Sequence, residues 1–172
     1  MKTRFILIQT SHAGNVGAAA RALKVMGFDE LVLVDPRWPN VLRKKEAIER
    51  SSGAHDVLNN ARIVATLDEA LDGITHLCAT AMTPRDFGPP TRSPRQHFEL
   101  LLNQKRQVQQ NSAVAADSTQ GDVDASQANA SDAGMQAGEG AAPEGIAFLF
   151  GCERYGMRNE EVYRCHVCLR IP

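Results

Sequence analysis

Two short stretches of the chain combine glycines with side chains that could do chemistry. The first, SHAGNVGAAARAL, spans residues 11–23 and contains Asn15 and Arg21; the second, GCERYGMRNEE, spans 151–161 and contains Glu153. Each follows a short apolar run that predicts a strand, and each leads into a segment with helical spacing. Glycine between a strand and a helix lets the backbone come close to a ligand. Both stretches are therefore candidate binding loops.

Arg21 is placed by helical periodicity on one side of the first predicted helix, roughly residues 16–26. An apolar stripe lies nearly opposite Arg21, and its members are Val16, Ala19, Ala20, Leu23 and Met26. Small and apolar residues also flank Arg21, whereas a helix buried on one side only would more often carry several charges there. We expect this helix to pack on two sides, with Arg21 carried into a contact with another subunit. A lone solvated arginine fits the spacing equally well.

The first glycine turn also permits a dinucleotide site. Gly14 and Gly17 keep the G-x-x-G part of the dinucleotide-binding fingerprint, but the G-x-G that opens it is missing. Asp35, at the end of the run LVLVD, stands where an acid that binds a ribose would stand. A Rossmann-type NAD-dependent oxidoreductase is therefore an alternative interpretation.

The order of apolar runs and helical segments predicts an α/β fold. Strand-like runs occupy 5–8, 31–34, 62–65, 75–79, 146–150 and 167–171, and helix-like segments lie at roughly 16–26, 43–51, 67–71, 95–106 and 159–164. Strands that alternate with helices form a parallel sheet, and continuous apolar runs indicate strands buried on both sides. We expect a parallel sheet with helices on both faces.

Length and hydropathy indicate one globular domain outside membranes. The chain has 172 residues, of which 43% are hydrophobic. No apolar run approaches the roughly 18 residues that a membrane helix needs. The amino-terminal run from Phe5 to Ile8 is shorter than the core of a signal peptide. We predict a cytoplasmic protein.

The cysteines predict neither disulfides nor a metal site. Cys78, Cys152, Cys165 and Cys168 are irregularly spaced, and without a secretion signal they favour reduced thiols. CHVC at 165–168 has Cys-x-x-Cys spacing, but a zinc site would need a second ligand pair at similar spacing, and the sequence offers none. We therefore predict no bound metal.

One segment departs from the rest in composition. Residues 107–145 are rich in Ala, Gln, Ser, Asp and Gly, contain no aromatic residue, and carry acids but no Lys or Arg. Such a segment cannot bury enough apolar surface to offset the entropy of ordering it, so we predict a disordered insert. Without it the rest of the chain is net positive, which suits an anionic partner.

Basic and aromatic residues outside the insert could contact a nucleic acid. The run at 43–45 is Arg-Lys-Lys and could contact phosphates, although a charge run is more often a solvated helix face. Few aromatic side chains are available for base stacking, with Trp38, Tyr155 and Tyr163 as candidates. Recognition would then depend more on RNA shape and phosphates than on stacked bases.

The two glycine stretches together resemble the SpoU branch of the SPOUT RNA methyltransferases, and within it the TrmJ-type tRNA ribose methyltransferases. The first family motif, N-x-G-x-x-x-R, is matched by Asn15, Gly17 and Arg21. The second reads F-G-x-E-x-x-G-L-x-N-E-E, and its matches are Phe150, Gly151, Glu153, Gly156, Asn159, Glu160 and Glu161, with Met157 in the leucine position. The segment GAHDVLNNARIVATLDEAL is also similar, so the resemblance covers nearly the whole chain outside the insert.

The resemblance implies a trefoil-knotted α/β domain, usually a homodimer, that binds S-adenosylmethionine. Its enzymes move the methyl group to a ribose 2′-hydroxyl of tRNA, in the anticodon loop for the TrmJ type. Arg21 is the implied catalytic residue, presented to the RNA to deprotonate the attacking hydroxyl or to orient it beside a phosphate. A guanidinium holds its proton at neutral pH, so electrostatic stabilisation and phosphate clamping are easier roles than that of a base.

The family binds its cofactor through backbone groups of three loops. By the resemblance these loops contain Thr80, Ala81 and Met82 after the fourth strand, then Gly151, and then Ile171 at the end of the last strand. A missing side chain at Gly151 would let the backbone approach the ligand.

Other matched residues are implied to shape the active-site loops. They are Asn15, Gly17, Glu153, Gly156 and Asn159. Glu153 is expected to accept backbone N–H bonds within its loop. Plain turn geometry would explain the two loop glycines in any fold.

The chain departs from the family pattern at two places. After Met82 the family is commonly arginine-rich, whereas this sequence reads TPRDFGPPTRSPR; Arg85 stands at the matching place and is expected to contact RNA. A third motif, an S-L-N stretch followed by a helix, should follow Pro172. We therefore expect residues 1–172 to form a single, C-terminally truncated SPOUT domain with an incomplete knot. A catalytically inactive RNA-binding relative is a further alternative, although Arg21 speaks against it.

Overall fold

The strands and helices confirm the predicted order and add two elements. The computed structural model describes residues 2–81, 87–117 and 145–171. The strands are β1 Lys2–Ile8, β2 Leu31–Val34, β3 Arg62–Val64, β4 His76–Thr80, β5 Thr91–Arg92, β6 Gly145–Phe150 and β7 Val167–Leu169. The helices are α1 Ala13–Val25, α2 Lys45–Arg50, α3 His55–Asn60, α4 Leu67–Ala70, α5 Pro94–Asp117 and α6 Asn159–Tyr163, with a 3₁₀ helix at Val41–Arg43. The additions are α3 and β5.

The strands form one sheet in which every described pair is parallel. Their order is β3-β2-β1-β6-β4-β7-β5. Strand β6 therefore lies between β1 and β4, with Phe148 in register with Phe5 on one side and with Cys78 on the other. The predicted α/β class with a parallel sheet is confirmed, while the trefoil knot stays a prediction.

Helices cover both faces of this sheet. On one face α4 and α6 enclose a core whose members include Ile6, Val32, Ala79, Leu149 and Val162. On the other face α1, α2 and α3 pack beside β2, in a core that includes Val16, Leu23, Leu33, Ala47 and Val57. Burial on both faces explains why the strand sequences are continuous apolar runs.

Helix α1 packs on two sides, but both partners belong to the same chain. A Cβ added at Gly17 would overlap the carbonyl oxygen of Ala47, so α1 and α2 approach each other backbone to backbone. The Gly17 side is therefore covered by α2 of the same chain, while the expected contact of Arg21 with another subunit stays a prediction. Met26 follows the end of α1 and lines an apolar pocket together with Ala19 and Leu23 of the predicted stripe, although Met26 itself is 70% exposed.

The insert differs from its prediction at both ends. Helix α5 continues past residue 106 to Asp117, and Gly145 already begins β6. Glutamine and alanine have high helix propensity, so the first part of the segment extends the helix that precedes it. Residues 118–144 lie outside the described part of the chain, and their disorder stays a prediction.

The contacts divide the chain into two compact units. The first comprises Met1–His97 and Pro143–Pro172 and contains the sheet, and the second comprises Phe98–Ala142, whose described part belongs to α5. No helix among the described residues is long and apolar enough to cross a membrane. The four cysteines all lie in the described part and form no disulfide, as predicted, and Cys165 and Cys168 are buried in the core.

A buried arginine holds the amino-terminal end of β1. Arg4 is only 1% exposed, and its guanidinium contacts the Glu30 carboxylate at 2.7 Å. The same guanidinium donates hydrogen bonds to the carbonyl oxygens of Ala70 and, at 2.9 Å, of Asp72. Ala70 is the last residue of α4, where a helix leaves its carbonyl groups without internal partners, and Asp72 follows two residues later. Arg4 therefore joins β1 to the turn that precedes β4.

We predict that Arg4→Met lowers the free energy of unfolding by about 3 kcal/mol, because it leaves the Ala70 and Asp72 carbonyls without this donor and removes the nearest cation of Glu30. Urea denaturation followed by circular dichroism measures the effect. Lys2→Met is the matched control, since Lys2 is half-exposed and lies 3.4 Å from the same carboxylate. Equal losses for the two variants would contradict the role given to Arg4.

Candidate active site

The carboxyl ends of three neighbouring strands bring the predicted cofactor loops to one edge of the sheet. Strand β4 lies between β6 and β7, and Thr80 is in register with Leu169. Ala81, Gly151 and Ile171 follow these strands directly or within two residues. Open parallel sheets bind ligands at this edge, just beyond the strand ends. The fold thus places together loops that are far apart in sequence.

Two hydrogen bonds fix the end of β4 between its neighbours. The Thr80 hydroxyl donates to the carbonyl oxygen of Leu149 in β6 at 2.8 Å. The Ala81 backbone N–H donates to the carbonyl oxygen of Leu169 in β7 at 3.3 Å. Ile171 remains 60% exposed beside these loops. An apolar side chain is therefore available to a ligand at this edge.

The loop after β6 closes tightly on itself. A Cβ added at Gly151 would overlap the backbone of Gly156 and Met157. The Cys152 and Gly156 backbones exchange two hydrogen bonds, of 3.0 and 2.7 Å, and Gly156 has a φ of +68° that favours glycine. Gly151 therefore makes room for its own loop, and this requirement for glycine holds without any bound cofactor.

The Glu153 carboxylate joins this loop to the first glycine turn. One carboxylate oxygen, Oε1, accepts hydrogen bonds from the Thr10 hydroxyl at 2.6 Å and from the Asn15 side-chain amide at 2.8 Å. The other, Oε2, accepts from the Ser11 backbone N–H at 2.8 Å and from its hydroxyl at 2.9 Å. Glu153 thus accepts a backbone N–H bond, as the resemblance implied, and this donor lies in the loop between β1 and α1.

These donors change the acidity of Glu153. Burial raises its pKa, but the hydrogen bonds from Thr10, Ser11 and Asn15 outweigh burial and lower the pKa from 4.5 to about 2. The carboxylate is therefore ionised throughout the neutral range. Asn15 acts in this network as a donor, which gives the first family motif a structural purpose.

A polar groove of about 360 Å³ lies at the carboxyl ends of β1 and β2. Its lining residues are Gln9, Ser11, Asp35, Pro36, Arg37, Cys152, Arg154 and Tyr155. Gln9 and Asp35 both have positive φ, of 49° and 44°, and their side chains are hydrogen-bonded at 3.0 Å. Such backbone conformations are uncommon outside glycine and concentrate at functional sites. Arg37 and Arg154 were missed as site residues because neither belongs to a motif.

Arg21 lies in a different groove, of about 660 Å³, beside α1 and α2. Its lining residues are Ala18, Arg21, Ala22, Val25, Met26, Glu49 and Arg50, so among the described residues it contains none of the predicted cofactor residues. Arg21 is exposed, as are Val25 and Met26. The structure therefore brings Asn15 and Glu153 together but leaves Arg21 on another surface of the chain.

Other residues singled out by the sequence lie outside the described part of the chain or have a different structural role within it. Met82 and Arg85 lie outside the described residues. Asn159 begins α6, and the Glu161 side chain accepts a hydrogen bond from the Arg158 backbone N–H at 2.7 Å, which caps that helix. Trp38 already has the Arg37 guanidinium 4.8 Å and the Lys44 ammonium 4.0 Å from its ring centre, so its ring is engaged by cations.

Fold and site together define an α/β protein with a candidate ligand-binding edge and a strand order that places β6 between β1 and β4. The sequence model of the SpoU rRNA Methylase family matches residues 2–92. The chain belongs to this family.

Relatives and solved structures are similar over almost the whole chain. The tRNA (cytidine/uridine-2′-O-)-methyltransferase TrmJ of Yersinia enterocolitica is 33% identical over 98% of this chain and 51% of its own length. The structure of a probable methyltransferase from Bordetella pertussis is 35% identical, with a TM-score of 0.64 over 99% of this chain and 81% of that one. The structure of TrmJ from Z. mobilis is 26% identical, with a TM-score of 0.67 over 100% of this chain and 59% of that one. The chain spans about half the length of the curated relatives it matches.

These findings do not favour the dinucleotide interpretation. A Cβ added at Gly14 would lie 2.6 Å from the Glu46 carboxylate and 2.9 Å from the Arg50 side chain, so this glycine faces α2 instead of a pyrophosphate. Asp35 accepts the side-chain hydrogen bond from Gln9. The glycines that suggested a nicotinamide site are explained by helix packing.

We predict that Glu153→Gln lowers the free energy of unfolding by about 1 kcal/mol at pH 7, because an amide loses part of the accepting capacity of a carboxylate. Since folding lowers this pKa, the stabilisation is present above pH 4.5 and is lost as the pH falls towards 2. The gap between wild type and variant should therefore close over that range in urea titrations.

The control is Asp29→Asn, at an exposed position between α1 and β2. It should not reproduce the pH-dependent gap. A gap for Glu153→Gln that persists unchanged down to pH 2 would contradict the network.

Proposed function

We propose that the chain is the S-adenosylmethionine-binding part of a methyltransferase that modifies a ribose 2′-hydroxyl of tRNA, in the anticodon loop and in the cytoplasm. The observation that carries the proposal is the convergence of the loops at Ala81, Gly151 and Ile171 on the carboxyl edge of a SpoU-family sheet. The names of the TrmJ relatives support the reaction and the substrate.

The residues at this edge fit the proposed cofactor. An adenosyl group has a flat apolar face and a hydrogen-bonding rim, which suit an exposed aliphatic side chain beside backbone polar groups. Ile171 provides the first, at 60% exposure, and the loops at Ala81 and Gly151 provide the second. When bound, the cofactor supplies an electrophilic methyl group. The protein's part is to hold the nucleophile in line with it, and alignment of this kind contributes much of such a rate.

Arg21 is the proposed catalytic residue. A guanidinium remains charged near neutral pH, so it would stabilise the ionised ribose hydroxyl or clamp a neighbouring phosphate with paired hydrogen bonds. Its exposure on α1 leaves it accessible to an RNA. Arg50 lines the same groove and would add a second positive charge there.

A homodimer would bring Arg21 to a complete site. Ala22, Val25 and Met26 form an exposed apolar surface beside Arg21, with Val25 77% exposed and Met26 70% exposed. Exposed apolar surface of this kind is typical of a subunit contact. We propose that α1 lies at the subunit interface, so that Arg21 meets the RNA held at the partner's cofactor loops.

The polar groove beside Glu153 is the proposed contact for RNA. Arg37 and Arg154 supply positive charge, and Tyr155, 84% exposed, supplies an aromatic ring for stacking. Phosphate contacts of this kind weaken as salt increases. Arg85 is proposed to contact the RNA as well.

The test is transfer of labelled methyl groups from S-adenosylmethionine to unmodified tRNA, with the polypeptide expressed to the gene's own stop codon. Arg21→Ala should lower the rate by roughly 100-fold or more, as the loss of a charged transition-state contact does. Arg62→Ala is the control, because Arg62 is a half-exposed residue at the start of β3 and belongs to no proposed site. Nuclease digestion should show the label on a ribose.

Two outcomes would contradict the proposal. Transfer that is equal in Arg21→Ala and Arg62→Ala would remove the catalytic role of Arg21. RNA binding without transfer, indifferent to S-adenosylmethionine, would indicate a catalytically inactive relative.

A further inference from the structure

Two histidines and a cysteine come together in the first compact unit, in a place that the methyl-transfer site does not use. His76 is the first residue of β4 and Cys78 follows two residues later. Alternate residues of a strand project from the same face, so both side chains lie on one side of the sheet. His97 reaches the same place from the first turn of α5.

The donor atoms of these residues are close together and shielded from solvent. One ligand atom from each of His76, Cys78 and His97 lies within 4.8 Å of the other two. The Nε2 atoms of the two histidines are 2.9 Å apart. Cys78 is fully buried, His97 is 3% exposed and His76 is half-buried. Two imidazoles and one thiol therefore share one largely buried site.

The spacing is close to that of a tetrahedral metal site. Zinc–nitrogen bonds of about 2.0–2.1 Å and a zinc–sulfur bond of about 2.3 Å place ligand atoms roughly 3.3–3.6 Å apart. The two Nε2 atoms would open by a few tenths of an ångström, and the widest separation would close by at most about 1.5 Å. Side-chain rotations can supply such shifts without moving the strand or the helix.

We propose that His76, Cys78 and His97 form a binding site for a divalent transition cation of the zinc class, with an exchangeable fourth position. Two imidazoles and one thiolate are the nitrogen and sulfur ligands that zinc prefers over carboxylates and waters alone. The site joins β4 to the start of α5, and in the sequence β5 lies between these two elements. It lies towards the amino end of β4, whereas the cofactor loops follow its carboxyl end.

Binding requires a defined proton balance. The Cys78 thiol releases its proton to solvent when sulfur becomes a ligand. In the metal-free pair the protonated Nε2 of one ring donates a hydrogen bond to the Nε2 of the other ring. When both Nε2 atoms bind the cation, this proton moves to Nδ1 of the ring that carried it. No other bond forms or breaks. Metal uptake therefore releases one proton per cation.

The neighbours of the site limit its affinity and its ligand set. Arg92 carries a positive charge that acts on His97, which opposes a second cation nearby. His166 packs against His76 with ring centres 4.7 Å apart, and its Nδ1 accepts the Leu77 backbone N–H at 3.1 Å. His166 therefore supports the His76 ring. A simple hydrogen bond between His76 and His97 is the competing explanation of their contact.

Titration of the metal-free protein with Co²⁺, followed by displacement with Zn²⁺, tests the proposal. We expect one equivalent to bind and a near-ultraviolet charge-transfer band from a single thiolate. Cys78→Ser should abolish the band, and His97→Asn should weaken binding by at least about tenfold. Cys152→Ser is the matched control and should leave both unchanged, because Cys152 lies in the loop after β6.

A second measurement uses only the wild-type protein, so it does not depend on whether a variant folds. X-ray absorption at the zinc edge of the loaded wild-type protein should show one sulfur and two imidazole ligands. Failure to bind Co²⁺ or Zn²⁺, or a band that survives Cys78→Ser, would overturn the proposal. So would two sulfur ligands, because the proposed ligand set contains one thiolate. None of these outcomes depends on methyl transfer.

Discussion

The Glu153 carboxylate is the contact on which the candidate site depends. It accepts hydrogen bonds from Thr10, Ser11 and Asn15, residues that precede it by 138–143 positions in the sequence. This one ionised group therefore fixes the loop after β6 against the turn between β1 and α1. Because charged acceptors make strong hydrogen bonds, both loops are held in one arrangement before any ligand arrives.

The strand order makes that contact possible. Strand β6 pairs directly with β1, so the loops that follow the two strands leave the sheet side by side. In the same sheet β4 and β7 continue the edge on the other side of β6, which adds Ala81 and Ile171 to the proposed ligand-binding surface. Helix α1 leaves this edge along α2, and Arg21 follows it onto a separate surface. The carboxyl edge of the sheet and Arg21 thus lie on separate surfaces, and the proposed reaction would need a second protomer or an RNA to bring them together.

The sequence predicts most of the strands because parallel strands buried on both faces consist of continuous apolar runs. It misses β5, which has only two residues, Thr91 and Arg92, and it misses α3, where Val57 and Leu58 are the only large apolar residues. Helix α5 extends to Asp117, beyond its predicted end near residue 106, because glutamine and alanine favour a helix even in a polar segment. Elements with few apolar residues are defined by their partners in the fold, and no local pattern indicates them.

The candidate site shows the same distinction between features that a local pattern predicts and features that only the fold defines. Motif spacing identified Asn15 and Glu153, but the bond between them depends on strand order, which spacing does not contain. The same holds for His76 and His97, since no sequence rule relates a strand residue to a helix residue beyond another strand. Gly17 was found through a motif, and its physical reason, contact with α2, came only from the packing.

The most direct test of the account is a nuclear magnetic resonance titration of the isotope-labelled protein with S-adenosylhomocysteine, the demethylated product of the proposed cofactor. We expect amide shifts concentrated at Ala81, Gly151 and Ile171, where the three loops meet at the carboxyl edge. Absence of shifts at these amides, or shifts produced instead by NAD at Gly14 and Gly17, would contradict the proposed site.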